Sequence, residues 1–168
     1  MDKSIKRKKT DTFILAALLA VTYLLIYFLS AEAGENSLKI SAKVSDFLMR
    51  IYYGLIGVAD TGTVAAAAAN TEGGIRKLAH FVEYMAVGFL SLKLFSLWCK
   101  SKWKAVCIVV LQLIISGGLD ELHQYFVPGR VPAVKDVCID TAGGIVGMLI
   151  VFGLKGIGKL WKRIQRRE

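Results

Sequence analysis

Residues Trp103 to Arg130 read WKAVCIVVLQLIISGGLDELHQYFVPGR. Val, Ile and Leu dominate the beginning of the stretch, whereas Asp120, Glu121, His123, Gln124 and Arg130 crowd into its end. A helix needs ~20 mostly apolar residues to cross ~30 Å of hydrocarbon at a rise of about 1.5 Å per residue. Trp103 to Tyr125 meets that length. The segment therefore reads as a membrane-spanning helix that delivers a set of ionisable groups to one boundary of the bilayer. Everything else in the chain bears on what those groups meet there.

The composition supports a lipid environment. Of 168 residues, 55% are hydrophobic, and the mean hydropathy is +0.52. That is too apolar for a soluble domain, which must cover its surface with polar groups. The net charge of +9 is concentrated beside apolar runs, at Lys3 to Lys9, Lys100 to Lys104 and Lys155 to Arg167. Clusters so placed set membrane topology, and no basic face with interleaved aromatics is left for nucleic acid. Cys99, Cys107 and Cys138 are odd in number and lack paired spacing, which excludes a disulfide framework or zinc knuckle.

Three further segments qualify as spans: Thr12 to Ser30, Ile75 to Trp98 and Lys135 to Leu154. The first has a basic start and an Ala31-Glu32-Ala33 resembling a cleavage site, but its apolar run, Phe13 to Leu29, exceeds the roughly 7–15 residues of a signal core. It is expected to stay as an anchor. The expected fold is thus all-α, a four-helix polytopic membrane bundle in a single domain. Four crossings put all three basic clusters on one side, which the positive-inside rule makes the cytoplasm. Both termini are then expected inside, with Ala31 to Gly74 a long outer loop and Val127 to Val134 a short one. Within the long loop, Val44, Phe47, Leu48, Ile51 and Leu55 recur at helical spacing opposite Lys43, Asp46 and Arg50. Ser41 to Val58 is accordingly expected to lie as an amphipathic helix on the outer surface. Thr61 to Gly74, with its alanine run and flanking Gly and Thr, shows no period and reads as a linker or a poorly ordered short helix.

Depth now brings the charges together. The second span descends from outside, so His80 lies ~6 Å below Arg76; the third ascends, so Asp120 lies ~26 Å above Trp103. Asp136 sits at the mouth of the fourth span and Asp140 one turn deeper. At ~100° per residue, His80, Glu83 and Tyr84 share a face with Lys77 beside it, Asp120, His123 and Gln124 share another, and Asp136, Asp140, Gly143 and Gly147 share a third. Gly143-x-x-x-Gly147 permits close helix approach, and Gly117 and Gly118 thin the third helix below its charges. Pro128-Gly129 favours a tight turn that would hold Arg130 at the mouth, while Pro132 can start the next helix. Ionisable groups inside a bilayer cost about 2.5–3.5 kcal/mol each on insertion scales, so they turn inward. A polar cavity open to the outer face is the expectation, the competing reading being a set of ion pairs that merely hold the bundle together.

These residues resemble the VanZ-like family of bacterial membrane proteins. The resemblance rests on Arg76-Lys77-Leu78-Ala79-His80-Phe81-Val82-Glu83-Tyr84 and on Asp120 through Arg130, followed by Asp136, Asp140 and Gly143-Gly144-Ile145-Val146-Gly147. The Ser30 to Ser37 stretch is similar to the Ser- and Glu-containing segment after the family's first span. The family pattern matches at Lys77, His80, Glu83, Tyr84, Asp120, Glu121, His123, Gln124, Arg130, Asp136 and Asp140, which become the candidate site residues. The resemblance implies a bacterial plasma-membrane location and an association with resistance to glycopeptide or lipoglycopeptide antibiotics, teicoplanin in particular.

Two functions compete. In the first, the pocket binds an anionic or lipid-linked envelope component, with Arg130 and Lys77 on the head group; the partners would be membrane lipids, a lipid-linked cell-wall precursor or a lipoglycopeptide. In the second, a membrane enzyme acts on a lipid-linked phosphate or ester, with His80 or His123 as general base and Glu83 or Asp120 orienting it. His80-x-x-Glu83 and Asp120-x-x-His123 could also supply metal ligands from two helices. A proton-linked carrier is disfavoured, because the charges stay near one face. No cofactor and no oligomeric state can be read from the residues.

Overall fold

The structure is a computed structural model that describes residues 3–31, 34–57 and 60–165. Val58, the expected end of the outer-loop helix, lies outside the described residues, as do Glu32, Ala33 and Arg167. Five helices follow in order: α1 (Lys3–Ala31), α2 (Gly34–Leu55), α3 (Thr61–Trp98), α4 (Lys102–Tyr125) and α5 (Val134–Gln165). Four of them, all but α2, are long and apolar enough to cross a membrane. The protein is a multi-pass helical membrane protein, as its composition requires.

Two helices run further than the apolar runs suggest. α1 begins within the first basic cluster and α5 continues into the last. Lys and Arg are good helix formers, and their long stems let the charge reach water while the backbone stays helical. Hydropathy marks where lipid stops, not where the helix does.

The stretch Thr61 to Gly74, read as a linker or a poorly ordered short helix, is the first third of the continuous helix α3. Asp60 caps it, accepting from the Gly62 and Thr63 backbone amides at 3.4 and 2.8 Å. Alanine has the highest helix propensity, and no proline interrupts the run that follows, so the helix passes unbroken through Asn70 and Gly73-Gly74. With 38 residues, α3 is ~57 Å long. It therefore overshoots a ~30 Å hydrocarbon core by several turns.

That extension gives α2 its partner. α2 folds back along the first part of α3 as an antiparallel hairpin, with Ser41 and Ser45 buried in the seam. The Ser45 hydroxyl donates to the Ala68 carbonyl at 2.7 Å and also meets the Thr71 hydroxyl. Small residues let the two backbones approach. The apolar stripe on which the helix was recognised, Val44, Phe47, Leu48, Ile51 and Leu55, stays exposed, with Val44 on a cleft shared with α1 and α3. Asp46 and Arg50 pair at 2.7 Å on the solvated side.

The bundle closes around α3 and α5. A Cβ on Gly88 would stand 2.0 Å from the Gly144 carbonyl oxygen, and one on Gly147 would stand 2.0 Å from that of Met85. Only glycine permits this separation. Gly117 faces Val137 and Asp140 of α5, whereas Gly118 has nothing near it, so only the first of that pair thins an interface. Tyr84, Val87, Leu92, Val109, Leu113, Met148 and Val151 form the core. α1 lies on the outside, packing Ile26 inward. It is fastened near one end by Trp98, whose indole N–H donates to the Thr12 hydroxyl at 3.0 Å, and at mid-depth by Gln112, whose amide donates to Tyr23 at 2.9 Å and Ser91 at 3.0 Å. The rest of α1, from Phe13 to Leu29, presents large apolar side chains to the surroundings, an exterior suited to lipid rather than water.

Candidate functional site

The α4–α5 connection is built by its prolines and glycine. The Arg130 amide donates to the Val127 carbonyl at 3.2 Å across Pro128 and Gly129, and Gly129 takes φ +75°. Pro second and a left-handed Gly third is the type II pattern. Pro132 precedes the helix rather than starting it, for α5 begins at Val134. The Ala133 amide just before that helix donates to Glu121 Oε2 at 2.7 Å. One oxygen of Glu121 is therefore spent fixing where α5 starts. Asp136 and Asp140 lie in the first and second turns of α5, just after that bond.

At this end of the bundle the helices carry out the convergence expected from depth and facing. His80 Nδ1 of α3 lies 3.8 Å from Glu83 Oε2 and 3.9 Å from Asp120 Oδ2 of α4. His80, Asp120 and Asp140 each offer a nitrogen or oxygen, all within 4.8 Å of one another. Asp120 is 8% exposed and Asp140 1%. Gln124 Nε2 donates to Asp120 Oδ2 at 2.8 Å, one helical turn away. His123, three residues on from Asp120, is not part of this trio; its ring lies against Tyr27 of α1, with centroids 4.6 Å apart.

The cations stand on the outer rim of this cluster. Lys77 Nζ reaches Asp136 Oδ1 at 3.0 Å. Arg130 donates to the Leu29 carbonyl at the end of α1, at 3.5 Å.

Three cavities meet here. A chamber of about 230 Å³ is lined by Arg76, Lys77, His80, Glu121, Gln124, Arg130, Asp136 and Asp140. A cleft of about 210 Å³ opens between α1, α2 and α3, with Leu29, Ile40, Val44 and Ile75 on its walls and Arg76, His80, Glu83 and Arg130 at its inner end. A third, of about 330 Å³, lies on the α1 side of α4 and is lined by Tyr23, Tyr27, Tyr84, Asp120 and His123. The site residues thus divide: Lys77, Glu121, Gln124, Asp136 and Asp140 face the chamber, Tyr84, Asp120 and His123 the third cavity, and Glu83 the cleft. His80 and Arg130 border both chamber and cleft. A larger cavity of about 620 Å³, lined by Leu92, Ser96, Lys102, Phe152 and Lys155, belongs to the opposite, basic end of the bundle and has no carboxylate or imidazole among the described residues that line it.

Sequence reasoning missed Arg76, which borders chamber and cleft alike. It had served as a depth marker and as the start of the first motif, but was not named among the site residues, although its place one residue before Lys77 was signal enough. It also missed the contribution of α2, because Ile40 and Val44 meet the site only once the hairpin folds.

A family model described as VanZ/LLP1 matches residues 13–156, which covers every helix that builds this site. No curated protein and no solved structure matches the chain.

Proposed function

The chain belongs to the VanZ/LLP1 family, and on that premise we propose that it serves the bacterial cell envelope by holding the anionic head of a lipid or lipid-linked component in the chamber at the end of α3, α4 and α5. The observation that carries this reading is the junction of two unlike cavities at Arg76, His80 and Arg130. An amphiphile needs an apolar cleft for its chain and a cationic, hydrogen-bonding chamber for its head, joined at the boundary between them. Arginine suits the head group because its planar fork grips phosphate or carboxylate oxygens in pairs. By the positive-inside rule the basic end of the bundle is cytoplasmic, so the chamber opens to the outer face of the plasma membrane. Sequestering or presenting an envelope lipid there would change what glycopeptides and lipoglycopeptides such as teicoplanin encounter, which is how the family association with resistance would arise.

Lipid-directed mass spectrometry of the purified protein tests this. The parent should carry an anionic lipid or lipid-linked species that Arg130→Ala and Arg76→Ala lose. A parent without one, or variants that retain it, would overturn the reading.

The imidazole of His80, set between Glu83 and Asp120, supports a second function, a membrane enzyme acting on a lipid-linked phosphate or ester with His80 as general base. Release of phosphate or alcohol from a lipid-linked substrate, abolished by His80→Ala and by Glu83→Gln, separates this from binding alone.

A further inference from the structure

We propose that His80, Asp120 and Asp140 form a binding site for a divalent transition-metal ion, clamping α3, α4 and α5 together at the floor of the chamber. Each helix contributes one ligand, and the three donor atoms lie within 4.8 Å of one another. The 3.9 Å between His80 Nδ1 and Asp120 Oδ2 is less than two metal–ligand bonds of about 2.0–2.2 Å, so one ion can touch both.

A cluster of acids alone would not point to a metal. What does is the state of its buried donors. Asp140 is 1% exposed, and its Oδ1 has no hydrogen-bond partner among the described residues. His80 Nδ1 and Glu83 Oε2 are likewise buried without one. Such atoms are rare in native proteins, since each forfeits its hydration. Lys77 is drawn to Asp136 on the rim, and one oxygen of Glu121 is taken by the Ala133 amide. A divalent ion would serve the orphaned imidazole nitrogen and carboxylate oxygens together.

The donor set narrows the metal. One imidazole nitrogen with carboxylate oxygens suits zinc or manganese better than calcium or magnesium, which take oxygen ligands almost throughout. The second shell is in place as well, because Gln124 Nε2 holds Asp120 Oδ2 at 2.8 Å and so orients that ligand. His80 and Asp140 border the chamber, so an ion on the trio would keep one side open to an incoming group. The site does not depend on what the chamber holds, and loss of the metal and loss of a lipid are read by different measurements.

The test uses the full chain in detergent, purified without chelator. Elemental analysis should show stoichiometric zinc or manganese, and the metal-stripped protein should rise in melting temperature when Zn²⁺ or Mn²⁺ is returned. Asp140→Asn and His80→Gln, verified as helical and monodisperse, should each weaken Zn²⁺ affinity by more than the roughly 10–100-fold that loss of a second-shell partner causes. Should both variants fail to fold, the parent decides: Co²⁺ added to stripped protein should give ligand-field bands that Zn²⁺ abolishes. A parent with no bound metal and no Co²⁺ bands would overturn the site, as would folded variants that keep parental affinity; the buried carboxylates would then be held by shared protons.

Discussion

Gly143 of α5 lies so close to Phe81 of α3 that a Cβ on the glycine would stand 2.2 Å from the Phe81 carbonyl oxygen. Phe81 follows His80, and Gly143 follows Asp140 by three residues, so one of the tight helix contacts lies directly beside the charged cluster. The glycine seam and the site are one construction: without the first, the buried groups of α3 and α5 would not share a layer.

Gly143→Ala should therefore act on both. The methyl cannot be accommodated against backbone, and forcing the helices apart in a packed interior costs about 1–3 kcal/mol. Thermal unfolding in detergent should show a lower melting temperature. Gly118→Ala, at a position with nothing within 4 Å, should leave it unchanged. Equal melting temperatures for the two would refute the seam.

Gln112 ties α1 to the bundle through Tyr23 and Ser91. Hydrogen bonds between helices in membranes average about 0.6 kcal/mol and reach ~1.7. Gln112→Ala should destabilise by about 1–2 kcal/mol and make α1 the first helix to separate. Proteolysis near the start of α2, or faster amide exchange in α1, reports it.

Asp60 carries a pH dependence of defined sign. The Thr63 hydroxyl, then the Thr63 and Gly62 amides, donate to its carboxylate and hold its pKa below the ordinary aspartate value. A lowered folded-state pKa means that the cap contributes fully above the unfolded value and is lost as pH falls through the folded one. Amide exchange at Gly62 and Thr63, corrected for the intrinsic pH effect, should lose protection only in that acidic range. Asp60→Ala should remove the protection at neutral pH as well.

Orientation is tested by reporter fusions. Those placed after Lys100 and after Lys155 should report the cytoplasm, and one at Gly129 the outside. A cytoplasmic Gly129 would reverse the direction in which the chamber opens.

What was legible beforehand was whatever follows from composition and period. Hydropathy marks the spans, because the cost of exposing backbone and charge to hydrocarbon is paid locally, residue by residue. The same locality made the Pro128-Gly129 turn readable, and helical phase together with rise placed His80, Asp120 and Asp140 at one depth.

The remainder depended on pairs of surfaces. α2 shows an apolar stripe, yet it packs through Ser41 and Ser45, because α3 offers a small-residue seam at Ala68 and Thr71 that no pattern within α2 encodes. Helical phase puts Asp120 and His123 on one face of α4, but it cannot say that α1 takes the histidine and α5 meets the aspartate. By itself the sequence determined which residues reach the polar end of the bundle and at what depth, since both follow from one helix at a time. Only the tertiary structure decided which of them meet, because that depends on how closely α3 and α5 approach, and the approach is set by glycines whose missing side chains have meaning only against the backbone opposite.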